Sequence, residues 1–591
     1  MYLKLIEGFF LNYRLNNMNK KKQLIMRKNN LPVLLCLLIV SFTINVAVGQ
    51  KYPGYTLVSI KNGTSAQLID TNSAVYHTWT DATLKKTGYS SYVAPGGFLW
   101  RTIAKTGTSF SGGPICGEVQ KLDYNGNVVW DFVYSTTTYV THHDICPMPN
   151  GNVLLIAYET KSSTEVSDAG CSTYSGTMWP EKIVEVQPTG PTTGNIVWEW
   201  HAWDHLVQNT NPTKANYQTS IVNNPQLLNI NYLAQKDWLH ANGIDYNPIL
   251  DQIALSSHNM DEIYIIDHST TTAEAASHSG GNSGKGGDIL YRWGNPAAYG
   301  ASGAQIFDVV HDAHWITEGS PNAGDLSGYN NKGISSPSNA STTDLFTPPL
   351  VGYNYSINLG SAYLPTTYTK RVLSGGYNSN EGGSQQLPNG NMLVCMGISG
   401  YIKEFSPTGT LLWSKTLTGP QAKSSKYNEC YFINAAPPIP TITESTGDLN
   451  SSSATTYQWY LNGQQISGAT NQTYTPSQSG IYLVRTTDAN GCVYQYSTGY
   501  NFSLSTGVEN VLEDVSFNIY PNPTNGIVNI QDTYLTGKRF ELIVTDAMGR
   551  IIVQNKNIYQ LDLSEFGNGI YYIIINPENA KSINSKIILS K

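Results

Sequence analysis

From Tyr52 to Ala436 the chain alternates short apolar runs with polar turns, and one phrase keeps returning. Leu122-Asp-Tyr-Asn-Gly-Asn-Val-Val-Trp130 and Phe405-Ser-Pro-Thr-Gly-Thr-Leu-Leu-Trp413 are its compact forms. Leu68-Ile-Asp-Thr-Asn-Ser-Ala-Val-Tyr-His-Thr-Trp79 and Val186-Gln-Pro-Thr-Gly-Pro-Thr-Thr-Gly-Asn-Ile-Val-Trp198 are longer ones. Ile265-Ile-Asp-His268, running on to Gly287-Asp-Ile-Leu-Tyr-Arg-Trp293, is a stretched copy. Each reads as a strand, a polar Gly/Asn turn and a second strand ending in an aromatic, which is a β-hairpin. A second unit, Pro149-Asn-Gly-Asn-Val-Leu-Leu-Ile156, is echoed by Pro388-Asn-Gly-Asn-Met-Leu-Val394. Hairpins repeated at a long period predict a propeller, in which each blade buries its faces against its neighbours. A sandwich or a solenoid is the other way to stack the same hairpins. Six blades over this stretch give roughly 64 residues each, above the 40–45 of compact blades. The excess is assigned to long loops at Asn209 to Gln235 and Ser320 to Thr369.

Beyond Pro437-Pro-Ile-Pro440, which reads as a linker, the pattern changes. Tyr457-Gln-Trp459-Tyr-Leu-Asn-Gly463 and Gly480-Ile-Tyr482-Leu-Val-Arg485 form a buried-Trp strand and a Tyr-bearing strand with turn signals between. They resemble an immunoglobulin-like sandwich. From Val515 to Lys591 come short alternating strands with Asn-Gly turns, a second small sandwich. The fold class is therefore all-β: a six-bladed β-propeller followed by two small β-sandwich domains. The expected units are a leader over 1–49, the propeller over 50–436, the immunoglobulin-like unit over 437–505 and the tail unit over 506–591.

Composition agrees with this pattern and removes other classes. Of 591 residues only 13% are charged while 11% are aromatic, with 39 Tyr, 12 Trp and 53 Gly. Disorder needs the opposite balance, and Tyr, Thr, Val, Gly and Asn are strand-and-turn residues. The net charge of −7 comes from 35 basic and 42 acidic residues without long blocks, so no nucleic-acid partner is expected.

Lys20, Lys21, Lys22, Arg27 and Lys28 precede an apolar run from Leu31 to Val48 that ends in Ala47-Val48-Gly49. A basic segment, an apolar segment and a small-residue site make a secretory signal peptide. A single membrane anchor is the other reading of the run, disfavoured by Ser41, Thr43, Asn45 and the cleavage site. No stable membrane span is expected after cleavage. Translation can begin at Met18 or Met26, which would shorten the long basic segment. Without Cys36 the chain keeps Cys116, Cys146, Cys171, Cys395, Cys430 and Cys492, which an oxidising compartment permits to pair. Six cysteines allow fifteen pairings, and no CxxC or metal-knuckle spacing selects among them. Cys492, far from the others in another unit, is expected to be free.

All 11 histidines lie between His77 and His314. Four phrases stand out: Thr141-His142-His143-Asp144, Trp238-Leu239-His240-Ala241-Asn242, Ser256-Ser257-His258-Asn259 and Val310-His311-Asp312-Ala313-His314. A single histidine at a strand end is usually a structural hydrogen-bonder. Radial repetition, however, brings equivalent positions of several blades together. Such a ring suits a metal site, nucleophilic and electrostatic catalysis on an anionic substrate, or a polar binding channel. Spacing alone leaves the three open.

Two resemblances narrow the choice. Asn518-Ile-Tyr-Pro-Asn-Pro-Thr-Asn-Gly526, Leu542-Ile-Val-Thr-Asp-Ala-Met-Gly-Arg550, Leu561-Asp-Leu-Ser-Glu-Phe-Gly-Asn-Gly-Ile-Tyr571 and Lys586-Ile-Ile-Leu-Ser-Lys591 closely resemble the C-terminal sorting domain of type IX secretion substrates from the Bacteroidota. That implies the type IX machinery as a partner, passage across the outer membrane and release or attachment at the surface. His142-His143-Asp144-Ile-Cys-Pro-Met-Pro-Asn-Gly-Asn152, Trp238-Leu-His-Ala-Asn242, His311-Asp-Ala313, Gly194-Asn-Ile-Val-Trp-Glu-Trp200 and Gly400-Tyr-Ile-Lys-Glu-Phe-Ser-Pro-Thr-Gly409 resemble the motifs of the arylsulfotransferase family.

The second resemblance implies a six-bladed propeller that moves a sulfuryl group from a phenolic sulfate donor to a phenolic acceptor. It implies no nucleotide donor, no cofactor and no catalytic metal, in keeping with the absence of a P-loop pattern. It assigns His311 as the nucleophile that becomes a sulfohistidine, His143 and His240 as holders of the sulfuryl oxygens, and Asn242 as a neighbouring substrate contact. Where the family carries an arginine this chain has Ser256-Ser257-His258, so His258 is the expected substrate-binding substitute, with Arg292 and Arg371 as other candidate cations. A guanidinium is always charged, whereas His258 must be protonated to help equally. A non-catalytic binding propeller at the cell surface is the alternative function.

Overall fold

The computed structural model describes residues 49–334, 339–504, 517–532, 535, 538–547, 549–578 and 583–591. The signal-peptide reading of 1–49 falls almost entirely outside the described residues.

The recurrent hairpins build six four-stranded antiparallel sheets among the described residues. Blades 2 to 6 begin at the channel with Thr87–Ala94, Tyr139–Pro147, Ala241–Asn247, Val310–Trp315 and Gly383–Gln386 and run outward in chain order. Blade 1 is composite. Its three outer strands, Tyr55–Val58, Ser65–Ile69 and Val75–Thr80, receive Lys426–Tyr427 as the innermost one, with Tyr55 opposite Tyr427. The two ends of the propeller thus close one sheet.

Apolar runs appear in the second strands because both faces of each blade are covered. In Val153–Glu159, Leu154 and Ile156 pack in a cluster with Ile244 and Ile253 of blade 4, whereas Val153 and Leu155 join Trp130 and Val119 of blade 2. Equivalent clusters fill the remaining junctions. The repeated tryptophan fastens one blade to the next. Trp79 Nε1 donates to the Gly97 carbonyl of blade 2, Trp130 to that of Thr193 in blade 3, and Trp293 to that of Pro365 in the blade 5 insertion.

The Asn209 to Gln235 segment is an irregular excursion between blades 3 and 4, as expected. Ser320 to Thr369 is not one loop: it contains the strands Leu326–Ile334 and Ala340–Phe346 of blade 5. Their Ser, Thr, Asn and Gly content hides them, since these residues signal turns.

Two sheets of the middle unit bury Trp459, whose Nε1 donates to the Asn471 carbonyl. This unit is fastened to the propeller. Arg485 pairs with Glu318, and Gln495 donates to the Pro149 carbonyl at 2.8 Å. Cys492 forms a disulfide with Cys430, in the short helix that follows the propeller's closing strand, so it is not free. Sequence separation concealed this pairing because the partners sit on either side of the Pro-rich linker. The tail unit is a three-stranded and a four-stranded sheet around a core that includes Val528, Leu542, Val544 and Ile573.

Candidate functional site

The innermost strands do not start as regular strands. Thr141 and Ile145 bracket a bulge in blade 3, Ala241 and Gly243 one in blade 4, and His311 and His314 one in blade 5. At these starts the backbone is left-handed at His143 (φ 50°), His240 (φ 52°) and Asp312 (φ 57°), and at Glu381 (φ 58°) just before blade 6. Side-chain-bearing residues adopt this conformation at a cost of about 1–3 kcal/mol each, and such strain gathers at functional sites. Bulges also re-aim side chains, and here they turn histidines toward the channel.

The result is an arc of four imidazoles. The His143 ring centroid lies 4.7 Å from that of His240, His240 lies 5.0 Å from His258, and His258 lies 5.6 Å from His311. His143 and His311 are buried, while His240 and His258 are partly open. Tyr89 of blade 2 packs edge-on to His143 at 4.9 Å. The Gly112-Gly113 turn covers the arc. A Cβ on Gly113 would meet Cε1 of His143 at 2.4 Å and Cε1 of His240 at 3.0 Å, and one on Gly112 would meet Asp237 Oδ2 at 2.6 Å. Only glycine lets the chain pass so close.

Hydrogen bonds fix what each ring offers. Asn331 Nδ2 donates to the carbonyls of Asn378 (2.8 Å) and Glu381 (2.7 Å), so its Oδ1 accepts from His311 Nδ1 at 2.7 Å. The proton therefore sits on Nδ1, and the Nε2 lone pair faces the Glu381 N–H at 3.3 Å. Asn259 Nδ2 likewise donates to the Asp237 and Trp238 carbonyls, which leaves its Oδ1 to accept from His258 Nδ1 at 2.9 Å. Neutral His258 therefore also presents a lone pair at Nε2.

His143 has the opposite polarity. Its Nδ1 lies 2.8 Å from Nδ1 of His142, whose ring stacks 3.5 Å from Tyr158 and whose own Nε2 meets no partner among the described residues. An orphaned buried lone pair is easier to tolerate than an orphaned N–H. His142 is thus the donor, and His143 keeps Nε2–H for the site. His240 Nδ1 lies 2.7 Å from Asp237 Oδ2.

Electrostatics agree. Burial first, then neighbouring histidines, hold His143 and His311 well below the ordinary imidazole value. Burial presses His142 down to about 3. His258 is also lowered, chiefly by burial and then by His240, which disfavours the protonated form in which it would stand in for an arginine. Burial opposes the Asp237 carboxylate, but its bond to His240 outweighs that and holds it below the usual range.

Other expected residues lie elsewhere. Arg292 is buried against Glu262 and Arg371 pairs with Asp344, both in outer strands, so neither guanidinium joins the arc. Lys61 does approach it: it pairs with Glu381 and sits 5.8 Å from the Tyr89 ring centroid. Asn242 is buried with its amide engaged, donating to the Val310 carbonyl at 2.8 Å and accepting from Ser256 at 2.6 Å. His314 bonds the Asp312 carbonyl at 2.9 Å, away from the arc. Asn331, Asp237, Lys61, Glu381 and the Gly112-Gly113 turn were not foreseen. Asp237 alone had a local signal, standing three residues before His240 and immediately ahead of the phrase that begins at Trp238.

Below the arc Lys423 spans the channel, bonding Asp144 and Asp312 at 2.6 Å each and Tyr92 at 2.8 Å. Burial disfavours its charge, but the two carboxylates outweigh this and raise its pKa. On the far side lies a cavity of about 590 Å³, lined by Trp100, Asp245, His314 and Trp315 and closed by Tyr494 and Tyr496 of the middle unit.

Comparison with known proteins adds identity to this geometry. Residues 518–590 match the secretion system C-terminal sorting domain, which marks the chain for export to the cell surface or release. No helix among the described residues is long and apolar enough to cross a membrane. No curated protein matches the chain in sequence. Among solved structures, a protein of unknown function from Bacteroides caccae is 10% identical, with 64% of this chain and 99% of that one covered and a TM-score of 0.36. The periplasmic gluconolactonase PpgL of Pseudomonas aeruginosa is 12% identical, with 63% and 98% covered and a TM-score of 0.35. Residues 103–430, more than half of the chain, match the arylsulfotransferase (ASST) family, and the protein belongs to it.

Proposed function

We propose that this protein is an aryl-sulfate sulfotransferase that carries the sulfuryl group on His311 between a phenolic sulfate donor and a phenolic acceptor, without a nucleotide. The supporting observation is the arc of imidazoles with complementary roles, a lone pair at His311 at one end and a donor at His143 at the other. In the first half-reaction His311 Nε2 attacks sulfur. The N–S bond forms as the S–O(aryl) bond breaks, and the phenolate leaves with the electron pair. Phenolate leaves far more readily than an alkoxide, which is why aryl esters suit the site. His143 Nε2–H, and His240 Nε2–H when that ring is protonated against Asp237, stabilise the charge on the sulfuryl oxygens. Removing one such donor typically lowers the rate about 10²–10³-fold.

In the second half-reaction an acceptor phenol gives its proton to the His258 lone pair and attacks sulfur, and the N–S bond returns its electrons to His311. His258 thus acts as a general base rather than as a copy of the family arginine. Lys61 is the cation that approaches the arc, with its charge shared with Glu381, and Asn242 positions the blade 4 and blade 5 strand starts rather than contacting substrate. Domain limits at 50, 437 and 506 belong to the same reading.

The test is phenol release from a chromogenic aryl sulfate in chelator, with and without phenolic acceptor. Release that rises with acceptor, together with a sulfated peptide containing His311, is the expected result. His311→Ala is expected to abolish both while leaving the fold intact. No release under any condition favours the binding propeller.

A further inference from the structure

A second convergence of histidines lies at the outer edge of blades 3 and 4, away from the channel. His205 follows the short turn Ala202–Asp204 that ends the outermost strand of blade 3. His278 and Asp288 belong to the insertion between the two outer strands of blade 4. His205 Nδ1 lies 2.9 Å from Asp288 Oδ1, and His278 Nδ1 lies 2.7 Å from the same oxygen. All three donor atoms fall within 4.8 Å of one another.

The chemistry of His205 is what makes this more than a pair of hydrogen bonds. Its Nε2 lies 2.8 Å from the Ala275 carbonyl, which only accepts, so that nitrogen bears the proton. In the neutral ring the Nδ1 lone pair then points at a carboxylate lone pair, inside a site where His205 is fully buried. A proton, on the ring or on the carboxyl, or a metal ion must lie between them. The surroundings fit the metal in two respects. A ligating histidine characteristically donates its other nitrogen to a backbone carbonyl, as His205 does to Ala275. Two imidazoles and one carboxylate are zinc-type ligands, and calcium or magnesium would want oxygens instead.

The ring of His205 is locked by parallel stacking on Trp200 at 5.7 Å, and Trp200 Nε1 in turn donates to the Gly287 carbonyl at 2.7 Å. Gly287 is forced, because a Cβ there would lie 1.9 Å from the Ala275 oxygen and 2.6 Å from His205 Nε2. Opposite this rigid wall His278 is 62% exposed, which gives an ion a way in and leaves a fourth position for water. Ligands about 2.0–2.2 Å from zinc stand roughly 3.3 Å apart, so both the His278 and the His205 contacts to Asp288 must open by about half an ångström, the first by a swing of the exposed His278 and the second by a shift of the Asp288 carboxylate.

We infer that His205, His278 and Asp288 bind a zinc-class divalent metal ion that clips the segment leaving blade 3 to the insertion of blade 4. The inference is independent of the proposed sulfuryl transfer. The test takes the full-length chain, strips it with chelator and titrates it with Zn²⁺, reading bound metal and the thermal midpoint. Because the channel histidines can also take zinc, the comparison is between proteins. Wild type is expected to hold one more equivalent than His278→Ala or Asp288→Asn, with affinity in the variants down at least about tenfold. Its midpoint should rise with Zn²⁺ while theirs does not. Co²⁺ should give ligand-field bands that both substitutions remove. An unchanged zinc count in His278→Ala, or no bound zinc in wild type, overturns the inference. If Asp288→Asn fails to fold, the exposed position of His278 keeps its variant decisive.

Discussion

Asn331→Ala tests whether the nucleophile depends on a residue that touches no substrate. The side chain makes three buried hydrogen bonds: one accepted from His311 Nδ1 and two donated to the Asn378 and Glu381 carbonyls. For the chemical step only the first counts. Losing a buried partner costs about 1–3 kcal/mol, and at about 1.4 kcal/mol per decade this predicts a roughly ten- to hundredfold slower burst. The two orphaned carbonyls affect stability instead, and the thermal midpoint reads that separately. The assay is the pre-steady-state burst of phenolate from a chromogenic aryl sulfate, with His311→Ala as the zero. Asn331→Asp keeps an acceptor for Nδ1–H but places a carboxylate beside the ring, which favours the imidazolium. That variant should retain more burst at alkaline pH and lose it at a higher pH than wild type. A folded Asn331→Ala protein with a burst within twofold of wild type would refute the orienting role.

Burial holds His311 well below the usual imidazole range, so its lone pair survives acidification. Sulfohistidine formation should show no loss attributable to the nucleophile near pH ~6.5, and a fall of the burst centred there would contradict that environment. His258→Arg should restore a fixed charge and keep or speed donor cleavage. Acceptor-dependent turnover should fall roughly 10²–10⁴-fold, and unimpaired turnover would remove His258 as the base. Burial disfavours the charged form of His268, but Asp251 and Glu185 outweigh it and lift the pKa to about 9. Its contribution is therefore full below the unfolded value near 6.5 and disappears as pH rises through 9, worth about 3 kcal/mol at most. Denaturant titrations should show that alkaline loss in wild type and not in His268→Gln. Reducing Cys430–Cys492, which closes 62 residues, should destabilise the middle unit by up to about 4 kcal/mol while sparing the burst, as calorimetry with and without reductant can show.

The propeller was legible because its signal is periodic. The aromatic-ended hairpins recur, and the terminal tryptophans Trp79, Trp130 and Trp293 each donate a hydrogen bond to a neighbouring blade. Blade 5 was not legible as strands, because Leu326–Ile334 and Ala340–Phe346 are built from residues that also make turns. The histidines of the arc were visible as phrases, yet their chemistry was not. Which nitrogen of His311 or His258 holds a proton depends on Asn331 and Asn259, and the orientation of those amides depends on carbonyls that only the folded chain brings near. Arg292 and Arg371 misled for the same reason: a sequence shows a charge but not the carboxylate already holding it.

Closing the propeller with Lys426–Tyr427 against Tyr55–Val58 makes assembly of the ring a late event for this exported chain. Gln421 Nε2 donates to the Leu57 carbonyl across 364 residues of chain, so blade 1 waits with an unpaired inner edge until nearly the whole ring has emerged. High contact order slows folding, so closing the ring is expected to be the slow step in assembling the propeller. The arc histidines come from blades 3, 4 and 5, so they sit within the run of blades that this closing strand finally locks into a ring.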